Sequence, residues 1–183
     1  MTKMNLSAPL PFVGQKRMFA KEFIKVLEQF PDDTVFVDLF GGSGLLSHIT
    51  KRMKPTSTVV YNDFDNYRFR LAHIPHTNKL LADIRTLVGD SVPKHKAIKG
   101  KLRECVLKRI EEEEASVGYV DFITLSSSLM FSMKYKLSVE EMSKEVLYNN
   151  IRKNGYPESL DYLEGLEICL LYTSPSPRDR SLS

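Results

Sequence analysis

From Phe19 onward, apolar residues recur at two spacings, and the change from one to the other marks out the elements. Phe19, Phe23, Val26, Leu27 and Phe30 fall on one face of a helix, while Lys21, Glu22, Lys25 and Glu28 point away from it. Pro31-Asp32-Asp33 ends that helix. The run Thr34-Val35-Phe36-Val37-Asp38-Leu39-Phe40 shows no alternation, which predicts a strand buried on both faces of a parallel sheet. Gly41-Gly42-Ser43-Gly44 turns the chain, Leu45 to Met53 reads as a helix, and Pro55-Thr56-Ser57 breaks it. Thr58-Val59-Val60-Tyr61 then forms a second buried strand ending at Asn62-Asp63. Together these elements make one βαβ unit, for which a right-handed crossover is expected.

Beyond Asp63 the spacing becomes mainly helical, over Tyr67 to Ala72, Asn78 to Val88, Ala97 to Glu113 and Asp121 to Met133. Asn149 to Glu164 is polar and contains Asn154-Gly155-Tyr156-Pro157, a loop signal. Leu160 to Ile168 reads as a further strand. Ahead of the first helix, Pro9 and Pro11 mark an extended lead-in closing on Pro11-Phe12-Val13-Gly14-Gln15-Lys16. The last fifteen residues, Cys169 to Ser183, follow neither period. They resemble the conceptual translation of a transposase-type sequencing adapter, although their Ser/Pro content is also that of a disordered tail. Setting them aside leaves 168 residues that stop inside a structured pattern, as a shortened gene would.

Composition narrows the class. Of 183 residues, 42% are hydrophobic and 27% charged, and no apolar run approaches the roughly 18 residues of a membrane span, so a non-membrane α/β domain is expected. Lys and Arg number 26 against 23 Asp and Glu, a net charge of +3. That balance, or +2 without the tail, is too small for a polybasic nucleic-acid binder, so any such contact must be local. Cys105 and Cys169 form no disulfide framework, and no apolar leader follows Met1, so a reducing, cytoplasmic setting is expected. His48, His73, His76 and His95 show no metal-ligand spacing, and Ser126-Ser127-Ser128 lacks the surroundings of a nucleophile. Between Val92 and Arg109, Lys94, His95, Lys96, Lys99, Lys101, Arg103, Lys108 and Arg109 precede four glutamates, Glu111 to Glu114. A solvated amphipathic helix is the simpler reading of that run, ahead of a DNA-facing surface.

The chemistry concentrates where a strand ends in Asp38, a glycine-rich turn leads into a helix, and a second strand ends in Asp63, 25 residues after the first acid. Gly41, Gly42 and Gly44 allow close approach of a ligand to the backbone, and the helix beginning near Ser43 aims free N–H groups at it. Asp63 is placed to accept ribose hydroxyls, and Asp38 suits a cationic or amino group. The turn lacks the GxGxxG of dinucleotide binders and the GKS or GKT of a phosphate loop. A ligand carrying an amine, a sulfonium and a ribose therefore fits better than one rich in phosphate.

Asp-Leu-Phe-Gly-Gly-Ser-Gly at 38–44 resembles the Asp-x-Phe-x-Gly-x-Gly cofactor motif of the S-adenosylmethionine-dependent DNA adenine-N6 methyltransferases. Pro-Phe-x-Gly-x-Lys at 11–16 resembles the N-terminal motif of their Dam-like subgroup, and Tyr-Asn-Asp-Phe-Asp at 61–65 resembles the Asn-Asp that follows their second strand. The three motifs agree in order and spacing, and the resemblance covers Leu10 to Ile168, resting on those motifs more than on the residues between them. The resemblance implies an incomplete Rossmann-like class I methyltransferase sheet with a mainly helical DNA-recognition insertion. On that basis residues 1–66 would bind S-adenosylmethionine, 67–160 would recognise the target, 161–168 would begin a further core strand, and 169–183 would be extraneous. Phe12, Gly14 and Lys16 would close one side of the cofactor pocket, with Lys16 near the methionine part. Asp38 would face the methionine end, Phe40 would line the pocket with Gly41, Gly42, Ser43 and Gly44, Asp63 would hold the ribose, and Phe64 would lie beside the adenine. Asp65 reads more simply as a solvated acid.

Methylating an exocyclic amine requires a base turned out of the duplex and its NH₂ held in line with the methyl donor. The family does this with Asp-Pro-Pro-Tyr, and this chain contains no Pro-Pro pair. In members with the N-terminal lysine motif the recognition region precedes that tetrapeptide, so its place falls after residue 168 and the chain by itself is expected to be inactive. The expected partner is double-stranded DNA, with no membrane or metal; nothing in the sequence states an oligomeric form. Two alternatives stay open: a non-catalytic nucleotide- or DNA-binding module, and a methyltransferase acting on RNA or a small molecule.

Overall fold

In the computed structural model, residues 4–14, 16–131, 135–158 and 161–170 are described. The chain divides into two compact units, one of Met1–Ala8, Gly14–Phe69 and Leu160–Ser183, the other of Pro9–Val13 and Arg70–Ser159. The architecture is mixed α/β, with a small parallel sheet and several helices.

In the first unit a 3₁₀ turn over Lys16–Phe19 leads into α1 (Ala20–Leu27). Strand β1 (Val35–Asp38) follows, then α2 (Leu45–Met53) and β2 (Thr58–Asn62). Both β1 and β5 (Glu167–Cys169) run parallel to β2, which lies between them. The register sets Val35 against Thr58 and Asp38 against Tyr61, so the acid that ends β1 lies level with the last residues of β2. Ala20, Leu27, Leu45 and Ile49 form the core, with Phe23, Ile24, Phe36 and Met53 packed around them.

Three expectations change here. On α1 the inward positions are Ala20 and Leu27, while Phe19, Val26 and Phe30 remain exposed. The packed stripe is Ala20, Phe23, Ile24 and Leu27, turned by about one position from the expected one. Burial of β1 on both faces is not observed either: Val35 is 64% and Val37 53% exposed, whereas Phe36 turns toward the core. Among the described residues β1 pairs only with β2, so its second edge has no strand beside it. The last strand begins at Glu167 rather than Leu160, because residues 161–165 form turns. Its final member is Cys169, level with Asn62, and the rest of the adapter-like segment, 171–183, lies outside the described residues.

A histidine braces this unit. The His48 ring is buried and stacks on Tyr162 with centroids 4.5 Å apart. Its Nδ1 lies 2.7 Å from the Tyr162 carbonyl, to which it donates, and its Nε2 accepts from the Asn5 backbone N–H at 3.2 Å. Acceptance at Nε2 requires a neutral ring. Burial, with the Arg52 guanidinium adding to it, holds the His48 pKa below the ordinary 6.5. The unfolded chain therefore takes up this proton at a higher pH than the folded one. Stability contributed by His48 is complete above pH 6.5 and is lost as the pH falls below it, toward the lowered folded value. Urea midpoints measured from pH 8 to 5 are expected to fall on acidification, and His48→Gln is expected to flatten that dependence. Parallel curves for the two proteins would remove His48 as the cause.

The second unit is built on α4 (Ile74–Val88), which packs on α5 (Gly100–Val117). Leu80, Leu81, Ile84 and Val88 on α4, and Val106, Leu107 and Ile110 on α5, are buried. Helix α3 (Tyr67–Ala72) crosses from the first unit into it, α6 (Phe122–Leu129) and α7 (Val139–Ser143) follow, and β3 (Ala97–Ile98) pairs antiparallel with β4 (Leu147–Tyr148). Helix α4 begins four residues before the expected Asn78, because Pro75 is tolerated in a first turn. Helix α6 stops at Leu129 rather than running on to Met133, because Met130 takes an extended backbone; Met133 itself lies outside the described residues.

Ion pairs in this unit do specific work. Arg70 donates from Nε and Nη2 to Asp121 Oδ2 at 3.2 and 3.1 Å, and also from Nη2 to the Pro11 carbonyl at 2.9 Å. Arg109 joins Asp83 on α4 to Glu113 on its own helix. Arg103 donates to the carbonyls of Ser143 and Glu145. The basic run read from the sequence as one solvated helix is thus divided. Lys94, His95 and Lys96 stand on a turn ahead of β3, and Arg103 and Arg109 on α5 are turned inward to brace the unit.

Candidate functional site

The glycine-rich segment leaves the carboxyl end of β1 and enters α2, which is where open parallel sheets bind ligands. Gly41 lies against the Tyr61 ring so closely that a Cβ placed on it would be 2.2 Å from Tyr61 Cε2 and 2.7 Å from the Asn62 carbonyl oxygen. No side chain fits there. Gly44 takes φ 66° as the N-cap of α2, a left-handed conformation that a Cβ disfavours, and its N–H donates to the Gly41 carbonyl at 2.8 Å. No side chain caps α2, which leaves its first N–H groups without a side-chain acceptor.

Side chains from the second strand and from α2 hold this turn. The Tyr61 hydroxyl shares its one proton between the Gly42 carbonyl at 2.7 Å and Asp63 Oδ1 at 3.0 Å, and Asn62 Nδ2 donates to the Leu39 carbonyl at 2.9 Å. Ser47 Oγ donates to Asp38 Oδ2 at 2.7 Å and so orients that carboxylate. Lys16 reaches across with Nζ to the Phe40 carbonyl. Burial, reinforced by the neighbouring Asp63 carboxylate, raises the Tyr61 phenol pKa far above its ordinary value, so Tyr61 remains a donor throughout the accessible pH range. Tyr61, Asn62 and Ser47 were not among the residues expected to serve the site. Tyr61 and Asn62 sit inside the Tyr-Asn-Asp motif itself, but a motif does not say that its first member points back at the preceding loop.

The predicted residues distribute as follows. Lys16, Asp38, Phe40 and the glycine turn come together at the ends of β1 and β2. Phe40 is 73% exposed and Phe64 60% exposed, so both rings present open faces. Asp38 is half-buried, Ser43 is buried beneath the turn, and Gly14 is exposed. Phe12 is half-buried and belongs to the second unit with Pro9–Val13.

Asp63 is more engaged than the sequence suggested. It is 4% exposed, and its Oδ1 accepts from the Tyr67 N–H at 2.6 Å and its Oδ2 from the Arg68 N–H at 3.0 Å. With the Tyr61 hydroxyl, that makes three donors on a carboxylate that accommodates about four. Asp63 is therefore the N-terminal anchor of α3, with acceptor capacity left for about one ligand hydroxyl rather than two. Asp65 is exposed.

The donor set suits a nucleoside carrying a positive centre: one half-buried carboxylate, two open aromatic rings, a backbone turn with free amides, and one carboxylate with limited spare capacity. It offers no cluster of cations for a polyphosphate. Among the described residues no group of three or more His, Cys, Asp or Glu is placed to hold a metal ion, and no helix is long and apolar enough to cross a membrane.

Comparison with known proteins identifies the family. A protein of Haemophilus influenzae (strain Rd) named "Putative methyltransferase" is 41% identical over 165 residues, covering 88% of this chain and 55% of the relative. The chain thus spans about half the length of that protein. No solved structure matches it. The family model of the D12 class N6 adenine-specific DNA methyltransferases matches residues 12–154, a span that takes in the glycine turn, both acids and nearly all of the helical unit. This chain therefore belongs to the D12 class N6 adenine-specific DNA methyltransferase family.

Proposed function

We propose that this chain is the cofactor-binding and DNA-recognising portion of an enzyme that methylates N6 of adenine in duplex DNA, using S-adenosylmethionine on a Rossmann-like sheet. The observation that carries the reading is the gathering of Asp38, Phe40, Phe64 and a side-chain-braced glycine turn at the carboxyl ends of two adjacent parallel strands. When bound, S-adenosylmethionine supplies an electrophilic methyl on a sulfonium. Asp38, held by Ser47, offers its free oxygen to the amino-acid end, with Lys16 and Gly14 beside the loop, and the motif at 11–16 assigns Phe12 to the same ligand. Asp63 accepts one ribose hydroxyl. Phe40 lines the pocket, and Phe64 stacks beside the adenine. Gly41, Gly42, Ser43 and Gly44 give the ligand a backbone surface free of bulky side chains.

Transfer itself is assigned to a protein that also carries Asp-Pro-Pro-Tyr, which this chain does not contain. Calorimetric titration of the chain with S-adenosylhomocysteine tests the binding half of the reading. Binding is expected, and Phe64→Ala, at an exposed position, is expected to weaken it roughly fivefold to tenfold, the worth of one aromatic stack. Absence of binding by the folded chain, or an unchanged Phe64→Ala affinity, would remove the cofactor assignment. For the substrate half, the reading frame is extended until the tetrapeptide is included, and tritium transfer to duplex DNA is compared with transfer to RNA. Label on RNA alone would overturn the substrate, and a reading frame that closes without the tetrapeptide would favour a binding module.

A further inference from the structure

The second unit carries an aromatic and basic platform that the cofactor chemistry does not use. It is assembled from three separate segments: the turn before β3, the residues after α6, and the end of β4. Two asparagines tie them together. Asn149 donates from Nδ2 to the Val92 carbonyl at 2.7 Å, exchanges backbone hydrogen bonds with His95 and Lys96, and so fixes the turn to β4. Asn150 donates from Nδ2 to the Met130 carbonyl at 2.9 Å, which leaves its Oδ1 to accept from His95 Nδ1 at 2.8 Å. This arrangement places the proton of a neutral His95 ring on Nδ1 and leaves Nε2 available as an acceptor.

His95 also adopts φ 65°, an unusual backbone for a residue with a Cβ, and the bonds to Asn149 and Asn150 hold it there. Beside it stand Phe131, 49% exposed with its ring centroid 6.4 Å away, and Tyr148, edge-on to Phe131 at 4.4 Å. Lys94 and Lys96 flank His95 and are exposed. The contributing stretches, 92–99, 128–131 and 146–150, contain no Asp or Glu at all, although the chain as a whole carries 23. Stretches that bring cations, a fixed imidazole and an open aromatic ring together, and carry no acid of their own, are complementary to a polyanion whose bases offer donors and flat faces.

We infer that this platform is a contact surface for duplex DNA, with Lys94 and Lys96 on backbone phosphates and His95 and Phe131 toward the bases. The inference rests on the proposed DNA substrate and specifies which face of the second unit meets it. Phosphate contacts from the lysines set affinity and salt dependence, and the rigidly held imidazole and ring contribute shape and base contact.

The test measures fluorescence anisotropy of a labelled duplex of about 20 base pairs with the 183-residue chain, at several salt concentrations. Lys94→Ala with Lys96→Ala is expected to weaken binding roughly tenfold and to reduce the salt slope by about 1.8, or 0.9 per phosphate contact. Phe131→Ala is expected to weaken it roughly fivefold with an unchanged salt slope. Lys101→Ala with Lys108→Ala removes the same charge from exposed positions on α5 and is expected to change affinity less than twofold. Equal losses for the two lysine pairs would mean diffuse charge and overturn the platform, as would a Phe131→Ala chain that binds like the unaltered one. If the unaltered chain bound no duplex at all, the DNA reading itself would fall together with the platform. If it bound duplex and the platform variants bound equally well, only the platform would fall. All the altered positions are exposed, so thermal melts of the variants should match that of the unaltered chain.

Discussion

Replacing Asp121 by Ala is expected to destabilise the helical unit by about 3–5 kcal/mol, the cost of stripping one partner from a buried ion pair. The Asp121 side chain is 1% exposed and that of Arg70 8%. Asp121 has two structural tasks at once. Its Oδ1 caps α6 by accepting the Thr124 N–H at 3.0 Å, and its Oδ2 takes the Thr124 hydroxyl at 2.8 Å together with the Arg70 guanidinium. Alanine removes the cap, worth about 1 kcal/mol, and leaves the guanidinium charge buried without its counter-ion. Asp121→Asn retains a capping oxygen and loses the charge, so its penalty is expected to fall between those of the native protein and the alanine variant. Urea denaturation followed by circular dichroism checks the order. An Asp121→Ala protein within 1 kcal/mol of the native one would show that the pair contributes nothing to stability.

Gly41→Ala is expected to have the second large effect, on both stability and cofactor affinity. The new methyl carbon would sit 2.2 and 2.3 Å from two carbons of the Tyr61 ring and 2.7 Å from a backbone oxygen. Both obstacles are hard to move. Tyr61 is fully buried and fixed through its hydroxyl, and the oxygen belongs to β2, the middle strand of the sheet. Relief must come from displacement of the turn, at a cost of about 1–3 kcal/mol as overpacking usually exacts. The same displacement would carry Gly42 and the start of α2 away from their ligand-facing positions. Affinity for S-adenosylhomocysteine is therefore expected to drop by more than tenfold. Combining Gly41→Ala with Tyr61→Leu separates steric cause from other causes: if the ring is the obstacle, the double variant is less destabilised than the sum of the two single ones. Additive penalties would place the obstacle elsewhere.

Much of the first unit was legible because its signals are local. The limits of α2 are those that the sequence predicts, since an apolar period, a glycine before it and a basic last turn coincide. The two parallel strands follow from unbroken β-branched and aromatic runs, and the motifs at 11–16, 38–44 and 61–65 point to the family that the comparisons then show. In the second unit, helices α3, α4 and α5 could be foreseen from spacing alone, whereas β3, β4 and α7 were not. Two-residue strands and a five-residue helix are too short to display a period; β3 and β4 exist only because each supplies the other's partner, while α7 is closed locally by Ser138 and Glu141.

The residue types needed for a nucleoside site, their order, and the need for glycine next to a strand end are properties of the sequence alone, because turn conformation and strand polarity depend on neighbours within a few positions. Tertiary structure decided how each side chain is used. Asp63 became the buried anchor of α3 because two backbone N–H groups and a tyrosine hydroxyl converge on it, and Tyr61 became the wedge beneath Gly41. The basic run was parted into inward braces on α5 and an open platform around His95. The Asp63 donors lie only two to five residues away and act once α3 forms, whereas the other outcomes depend on which groups meet across about 20 to 55 residues of chain, where burial and hydrogen-bond satisfaction outweigh any preference a single residue carries.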